Sequence, residues 1–173
     1  MSIYQSVAKL GPKLMSRAKL FRLGFNLSPM YRRSTAKIVS VSPDLLEVKI
    51  RLPINYKNRN YVNSIFGGSM FSAVDPIPMV QLINLLDSQY VVWDKSAEIK
   101  FKRPAREPLF AEFTYTEQEL QDIKAQIETD QEMELEKLTR LTSKDGSVTY
   151  CEVKKTIYIA DKAFYKQKKA QNK

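Results

Sequence analysis

One carboxylate, Asp75, stands in an otherwise almost wholly apolar run, NSIFGGSMFSAVDPIPMVQLINLL, at positions 63–86. Burying a lone carboxylate is costly, so its presence in such a segment marks it as a candidate for chemistry. The run opens on Gly67 and Gly68. Amides at a helix start have no intrahelical acceptor, and glycine lets a ligand oxygen approach them closely. Ser69 and Ser72 add hydroxyls beside the pair, and Asn60 and Asn63 add amides in the preceding loop. Further on, Lys100, Lys102, Arg103 and Arg106 form a basic group able to meet phosphates.

The rest of the composition narrows that chemistry. Histidine is absent, which removes Ser-His-Asp and Cys-His systems, the usual zinc sites and any imidazole acid or base. The single cysteine, Cys151, allows no intramolecular disulfide and no cysteine-based metal cluster; no metal site is expected, and a reducing, cytoplasmic setting fits. Carboxylates, hydroxyls, amides and backbone groups are left. The net charge of +9 is unevenly spread: residues 1–43 hold eight Lys or Arg and no acid, and residues 107–136 hold ten acids against Lys124. Such polarity suits a nucleic acid, an anionic membrane surface or an anionic substrate. With no helix-turn-helix, finger or aromatic RNA-binding motif, a nucleic-acid partner is not expected.

The patterning supplies a scaffold for these residues. Ile3, Val7, Leu10, Leu14, Ala18, Phe21 and Phe25 recur at spacings of three and four, predicting an amphipathic helical segment with a fresh start at Pro12 and a stop at Gly24. Its basic face leaves three readings open: an apolar stripe docked on the domain, a membrane-surface helix, or a transit segment. Period two then takes over. Residues 35–42 and 45–52 pair as a hairpin through Pro43-Asp44. Residues 68–86 read as a buried helix, apolar on nearly every face and bent by Pro76 and Pro78; Asp75, Gln81 and Asn84 argue against a membrane span. Strands return around Ala97, Ile99 and Phe101 and again at 109–115, followed by an acidic stretch at 117–130 with Leu120, Ile123 and Ile127 at helical spacing. Two last strands, 133–143 and 147–160, meet at Lys144-Asp145-Gly146, although Leu135, Leu138 and Leu141 also fit a helix. The expected class is α+β, an antiparallel sheet wrapped around a central apolar helix. Its segments are an N-terminal helical extension at 1–27, one domain at 28–161 and a basic tail at 162–173. A left-over edge strand favours a homodimer.

This order and these motifs resemble the hotdog-fold thioesterase superfamily, especially its phenylacetyl-CoA thioesterase type. That type has an Asn, then His-Gly-Gly at the start of the central helix, then an Asp or Glu nine residues after the His. Asn60, Phe66-Gly67-Gly68 and Asp75 keep those spacings, with Phe66 in the place of the His. IKFKRPA at 99–105 is similar to the family's strand ending in Arg-Pro-Ala, and IFGGSMFSAVDP most resembles a branch described only as thioesterase-like. The resemblance implies a hotdog fold and hydrolysis of an acyl thioester at the interface of a homodimer, with a tetramer left open. It implies Asp75 as general base or nucleophile, the Gly67 and Gly68 amides as the oxyanion site, and Asn60 orienting water or the thioester. Phe66, Ser69, Ser72, Asn63, Lys100, Lys102, Arg103 and Arg106 are the expected substrate contacts. CoA enters as part of the substrate, and no cofactor is expected. The alternative is a non-catalytic acyl or fatty-acid binding protein of the same fold. A third reading is a membrane-surface protein led by the N-terminal helix.

Overall fold

The computed structural model describes residues 15–171. Helix α1 (Arg17–Leu27) and the single turn α2 (Pro29–Arg32) lead into the hairpin β1 (Lys37–Val41) and β2 (Glu47–Leu52). The central helix comes in two pieces, α3 (Gly67–Val74) and α4 (Pro76–Leu85). Then follow β3 (Tyr90–Phe101), β4 (Leu109–Thr114), α5 (Glu117–Asp130), β5 (Glu132–Thr142), β6 (Thr149–Asp161) and α6 (Lys162–Gln171). Among the described residues the strands form one antiparallel sheet in the order β1-β2-β4-β5-β6-β3. The class is α+β, as the patterning predicts.

The sheet curls round the central helix because both partners have apolar surface to bury. Met70, Ala73, Val74 and Ile77 pack against the inward residues of β2 and β4, such as Val48, Ile50, Leu109 and Phe113. Leu82 and Leu86 join Ile157 and Ile159 of β6 and the α5 stripe Leu120, Ile123 and Ile127 in a second core. Each of these side chains larger than alanine contributes about 1.5–3 kcal/mol on burial. The acidic stretch is thus a full helix capped by Thr116, whose side chain accepts from the Glu119 amide at 3.0 Å.

One local expectation changes and three open points resolve. Gly24 does not stop α1: the helix runs on to Leu27 and ends at Ser28, whose amide donates to Gly24 and Phe25. A mid-helix glycine costs about 1 kcal/mol, less than the burial of Phe21 and Phe25, whose rings lie 4.8 Å apart, returns. The stripe of α1 therefore docks on the domain; the expected start at Pro12 and stripe positions Ile3, Val7, Leu10 and Leu14 lie outside the described residues. Strand β3 begins at Tyr90, well before Ala97. Strand β5 is a strand and not a helix: Lys137, Thr139 and Leu141 face inward while Leu138 is exposed. The basic tail is helical at 162–171, its start capped by the Asp161 carboxylate accepting from the Ala163 and Phe164 amides, each at 2.8 Å.

The two sheet edges differ. On β1 the Asn26 side chain both donates to the Ile38 carbonyl and accepts from its amide, each at 2.9 Å, which blunts that edge. On β3 the outer edge has no strand partner among the described residues, and Phe101 is 56% exposed. Among the described residues no helix is long and apolar enough to cross a membrane.

Candidate active site

Asp75 sits at the joint between α3 and α4. Its amide still donates to the Phe71 carbonyl at 2.8 Å, but Pro76 and Pro78 supply no N–H to the next turn. Two buried tyrosines brace the joint: the Tyr31 hydroxyl donates to the Ala73 carbonyl at 3.1 Å and the Tyr115 hydroxyl to the Pro78 carbonyl at 3.0 Å. The Asp75 side chain is 38% exposed, so the break presents it between core and solvent.

Its partner is a residue that the motif reading misses. Lys155 lies on β6, where Cys151, Val153, Lys155, Ile157 and Ile159 point inward in strict alternation, so the lysine is driven into the core and is 1% exposed. An ammonium there survives only if paired. Its Nζ reaches Asp75 Oδ1 at 2.5 Å and Asp94 Oδ2 at 2.8 Å, with the Phe71 ring centroid 6.0 Å away. Asp94, from β3, is 26% exposed, and its other oxygen, Oδ1, is buried with no hydrogen-bond partner among the described residues. Burial pushes the Asp94 carboxyl above the usual carboxylate range; the Lys155 hydrogen bond and charge oppose this, and the Asp75 charge adds to it.

The glycine end of α3 forms a second locus. Buried Asn58 pins the loop before it, donating to Thr35 Oγ1 at 2.7 Å and to the Pro53 carbonyl at 2.6 Å, while its own carbonyl accepts from the Phe66 amide at 2.7 Å. The Ser69 and Met70 amides fold back on the Phe66 carbonyl. The Gly67 and Gly68 amides have no hydrogen-bond partner among the described residues. A Cβ on Gly67 would lie 2.7 Å from the Phe101 ring, and one on Gly68 would strike the Phe66 ring, so these exposed rings would have to turn aside. A cleft of about 420 Å³ opens here, lined by Asn60, Gly67, Met70, Phe101, Lys102 and Arg103 among others.

The expected site residues thus fall into groups. Asn60, Gly67, Lys102 and Arg103 share the cleft; Asn60 also closes its own loop, bonding Ser64 Oγ at 2.9 Å and accepting from the Val62 and Ser64 amides. Phe66 is 57% exposed beside Gly68, and Asn63 occupies a left-handed turn at φ 59°. Ser69 is buried, and Ser72 donates to the Gly68 carbonyl. Lys100 pairs with Glu98 at 3.1 Å and Lys102 with Glu152 at 2.8 Å, while Arg106 is exposed. Asp75 does not line the cleft: it stands eight residues along the helix from Gly67, about 12 Å at the helical rise. Among the described residues no His, Cys, Asp and Glu group of three or more converges where a metal ion would sit.

The chain matches, over residues 17–159, the family model described as a domain of unknown function, DUF4442. Solved structures share its fold at low identity. One is a Pseudomonas aeruginosa protein of unknown function described as a probable thioesterase, 20% identical, with TM-score 0.71 over 83% of this chain and 95% of that one. A Haemophilus influenzae thioesterase is 10% identical, with TM-score 0.60 over 86% and 94%. A Staphylococcus aureus thioesterase is also 10% identical, with TM-score 0.54 over 77% and 99%. No curated protein matches the sequence. The chain shares the fold of these structures, the hotdog fold.

Proposed function

The chain belongs to the DUF4442 family, and from that premise and the site's geometry we propose that it hydrolyses acyl thioesters. The observation that carries the reading is Asp75: a partly exposed carboxylate held by a buried lysine at the break of the central helix, in a chain without histidine. In this reading Asp75 takes a proton from water as the water oxygen attacks the thioester carbon. Charge gathers on the carbonyl oxygen, which the free Gly67 and Gly68 amides receive. The C–S bond then breaks, and the thiolate leaves and is protonated, giving a carboxylic acid and a thiol.

Asp75 and Gly67 of one chain are too far apart to flank one reacting carbon, which needs groups within about 3 Å on both sides. A second copy resolves this. The open edge of β3, with Phe101 exposed at its end, supports a homodimer in which the carboxylate of one protomer and the glycine cleft of its partner form one site. In the cleft, Lys102 and Arg103 suit the phosphates of a CoA-like carrier.

One feature favours a second reading. The Phe66 and Phe101 rings crowd the two glycines, and Phe66 stands where the resembled family has histidine. A non-catalytic acyl-binding protein would tolerate such rings. Assay of an acyl-CoA panel, with mass spectrometry of extract from the purified protein, separates the two. Turnover supports the hydrolase, and co-purified acyl ligand without turnover supports the binding protein. Sedimentation velocity checks the dimer, and a monomer at assay concentration would sink the shared site.

A further inference from the structure

We propose that the loop before the central helix, residues 53–66, docks on an anionic membrane surface, its exposed rings entering the headgroup layer and the cations around them meeting lipid phosphates. A concentration of unanswered charge points there. On β2, β3 and β6 the outward lysines stand beside acids: Lys49 by Glu112 at 3.4 Å, Lys95 by Glu134, Lys100 by Glu98 and Lys154 by Glu136 at 2.7 Å. Between Glu47 and Asp75, however, the chain carries Lys49, Arg51, Lys57 and Arg59 and no acid. Lys57 and Arg59 are exposed and in no ion pair among the described residues, and so are Arg32, Arg33, Arg103 and Arg106.

The loop holds its two tips with its own asparagines. At the first, Asn58 Oδ1 accepts from the Asn55 amide and Asn55 Oδ1 from the Lys57 amide, each at 2.8 Å. At the second, Asn60 Oδ1 accepts from the Val62 amide at 3.1 Å and the Ser64 amide at 3.0 Å. These side chains are spent on the backbone, and the rings stay outside: Tyr56 is 85% exposed, Tyr61 is 100% exposed, and Val62 and Phe66 are more than half exposed. Asn58 donates to Thr35, and the Ile65 amide donates to the Ala105 carbonyl at 2.8 Å. The segments that carry Arg32, Arg33, Arg103 and Arg106 are thereby tied to the same loop. Glu107, beside Arg106, accepts from the Tyr150 hydroxyl.

The partner must answer both the cations and the rings. The same loop of a second copy carries the same charge and is repelled. A nucleic acid would neutralise the cations but leave Val62 and Phe66 against phosphates. A bilayer boundary satisfies both. Tyrosine, with an apolar ring and a hydroxyl end, settles between acyl chains and headgroups, while Lys and Arg stems lie along the apolar layer and carry their charges out to the phosphates. Helix α1 is not the anchor, since Phe21 and Phe25 of its apolar stripe are buried on the domain. The cleft lined by Asn60, Lys102 and Arg103 opens at this loop, so docking sets the cleft beside the lipid surface.

Flotation of the full chain with vesicles tests this, using phosphatidylcholine alone and equal parts of phosphatidylcholine and phosphatidylglycerol. Wild type should partition onto the anionic vesicles and not onto the neutral ones, and added salt should weaken the binding. The double variant Lys57→Glu/Arg59→Glu should partition about 30-fold more weakly or worse, since each Lys or Arg near such a surface contributes about fivefold. Tyr61→Ser should lower partition by about tenfold through the lost ring. Both sites are exposed, and circular dichroism confirms that each variant is folded; should one fail to fold, the other decides. No binding of wild type to anionic vesicles overturns the proposal, and so does undiminished partition of a folded variant, which would put the contact elsewhere in the chain. Binding of a single-stranded oligonucleotide without binding of vesicles also overturns it. So does a changed sedimentation velocity of the charge-reversed variant in the absence of lipid, which would give the loop to a second copy. None of these readouts uses thioester turnover.

Discussion

Lys155→Met should destabilise the protein by an amount that grows with pH. Removing one partner of a buried ion pair costs about 3–5 kcal/mol. Here Lys155 is fully buried, but the two carboxylates keep 38% and 26% exposure, so water recovers part of the loss. About 2–3 kcal/mol is therefore expected near neutral pH, or a fall in Tm of about 5–10 °C for a chain of this size. The pH dependence comes from Asp94, whose carboxyl already titrates above its ordinary value of 3.8 because it is buried. Without Lys155 it loses the two influences that lower it, so its folded value rises further. A carboxyl whose folded value exceeds its unfolded one binds a proton more tightly when folded. Stability therefore falls as pH rises through the window between the two values. The deficit relative to wild type should be smallest in mild acid and largest at alkaline pH. Urea unfolding followed through the single tryptophan, Trp93, at acidic and alkaline pH measures it. A deficit equal at both ends, or larger in acid, would refute the pairing.

Other parts of the structure make further predictions. Tyr31→Phe should cost about 1–2 kcal/mol in urea unfolding, because the Ala73 carbonyl loses a buried donor. Asn26→Ala should cost a similar amount, about 1–2 kcal/mol, and should raise light scattering on storage by baring the β1 edge at Ile38. Cys151 is buried and its thiol is pushed up to about 11 by that burial, so Ellman's reagent at pH 8 should label it only in denaturant. Prompt labelling of the folded protein would contradict the packing.

Much of the architecture was legible because it rests on periodicity. The hairpin at β1 and β2, the turn at Gly146 with φ 75°, and the α5 stripe all follow from alternation, turn chemistry or helical spacing. The opening of β3 was not. Tyr90 to Trp93 carries strand-forming residues, but the ladder shifts register between Asp94 and Ser96, which breaks the two-residue period there. That break hid Asp94. Lys155 was readable in principle: it falls on the inward row with Cys151, Val153, Ile157 and Ile159, and a charge on such a row calls for a partner. Which partner it takes depends on strand order, which no local pattern encodes. The Gly67-Gly68 pair was visible as a helix start, but its contact with the Phe101 ring depends on where β3 ends.

The most direct test of the account is the steady-state rate of acyl-CoA hydrolysis by wild type and by Asp75→Asn, a substitution that preserves shape while removing the base. The account predicts turnover by wild type and a fall in kcat of about 10²–10⁴ in the variant, with circular dichroism unchanged. Equal rates for the two proteins, or no turnover by wild type with any acyl-CoA in the panel, would contradict it.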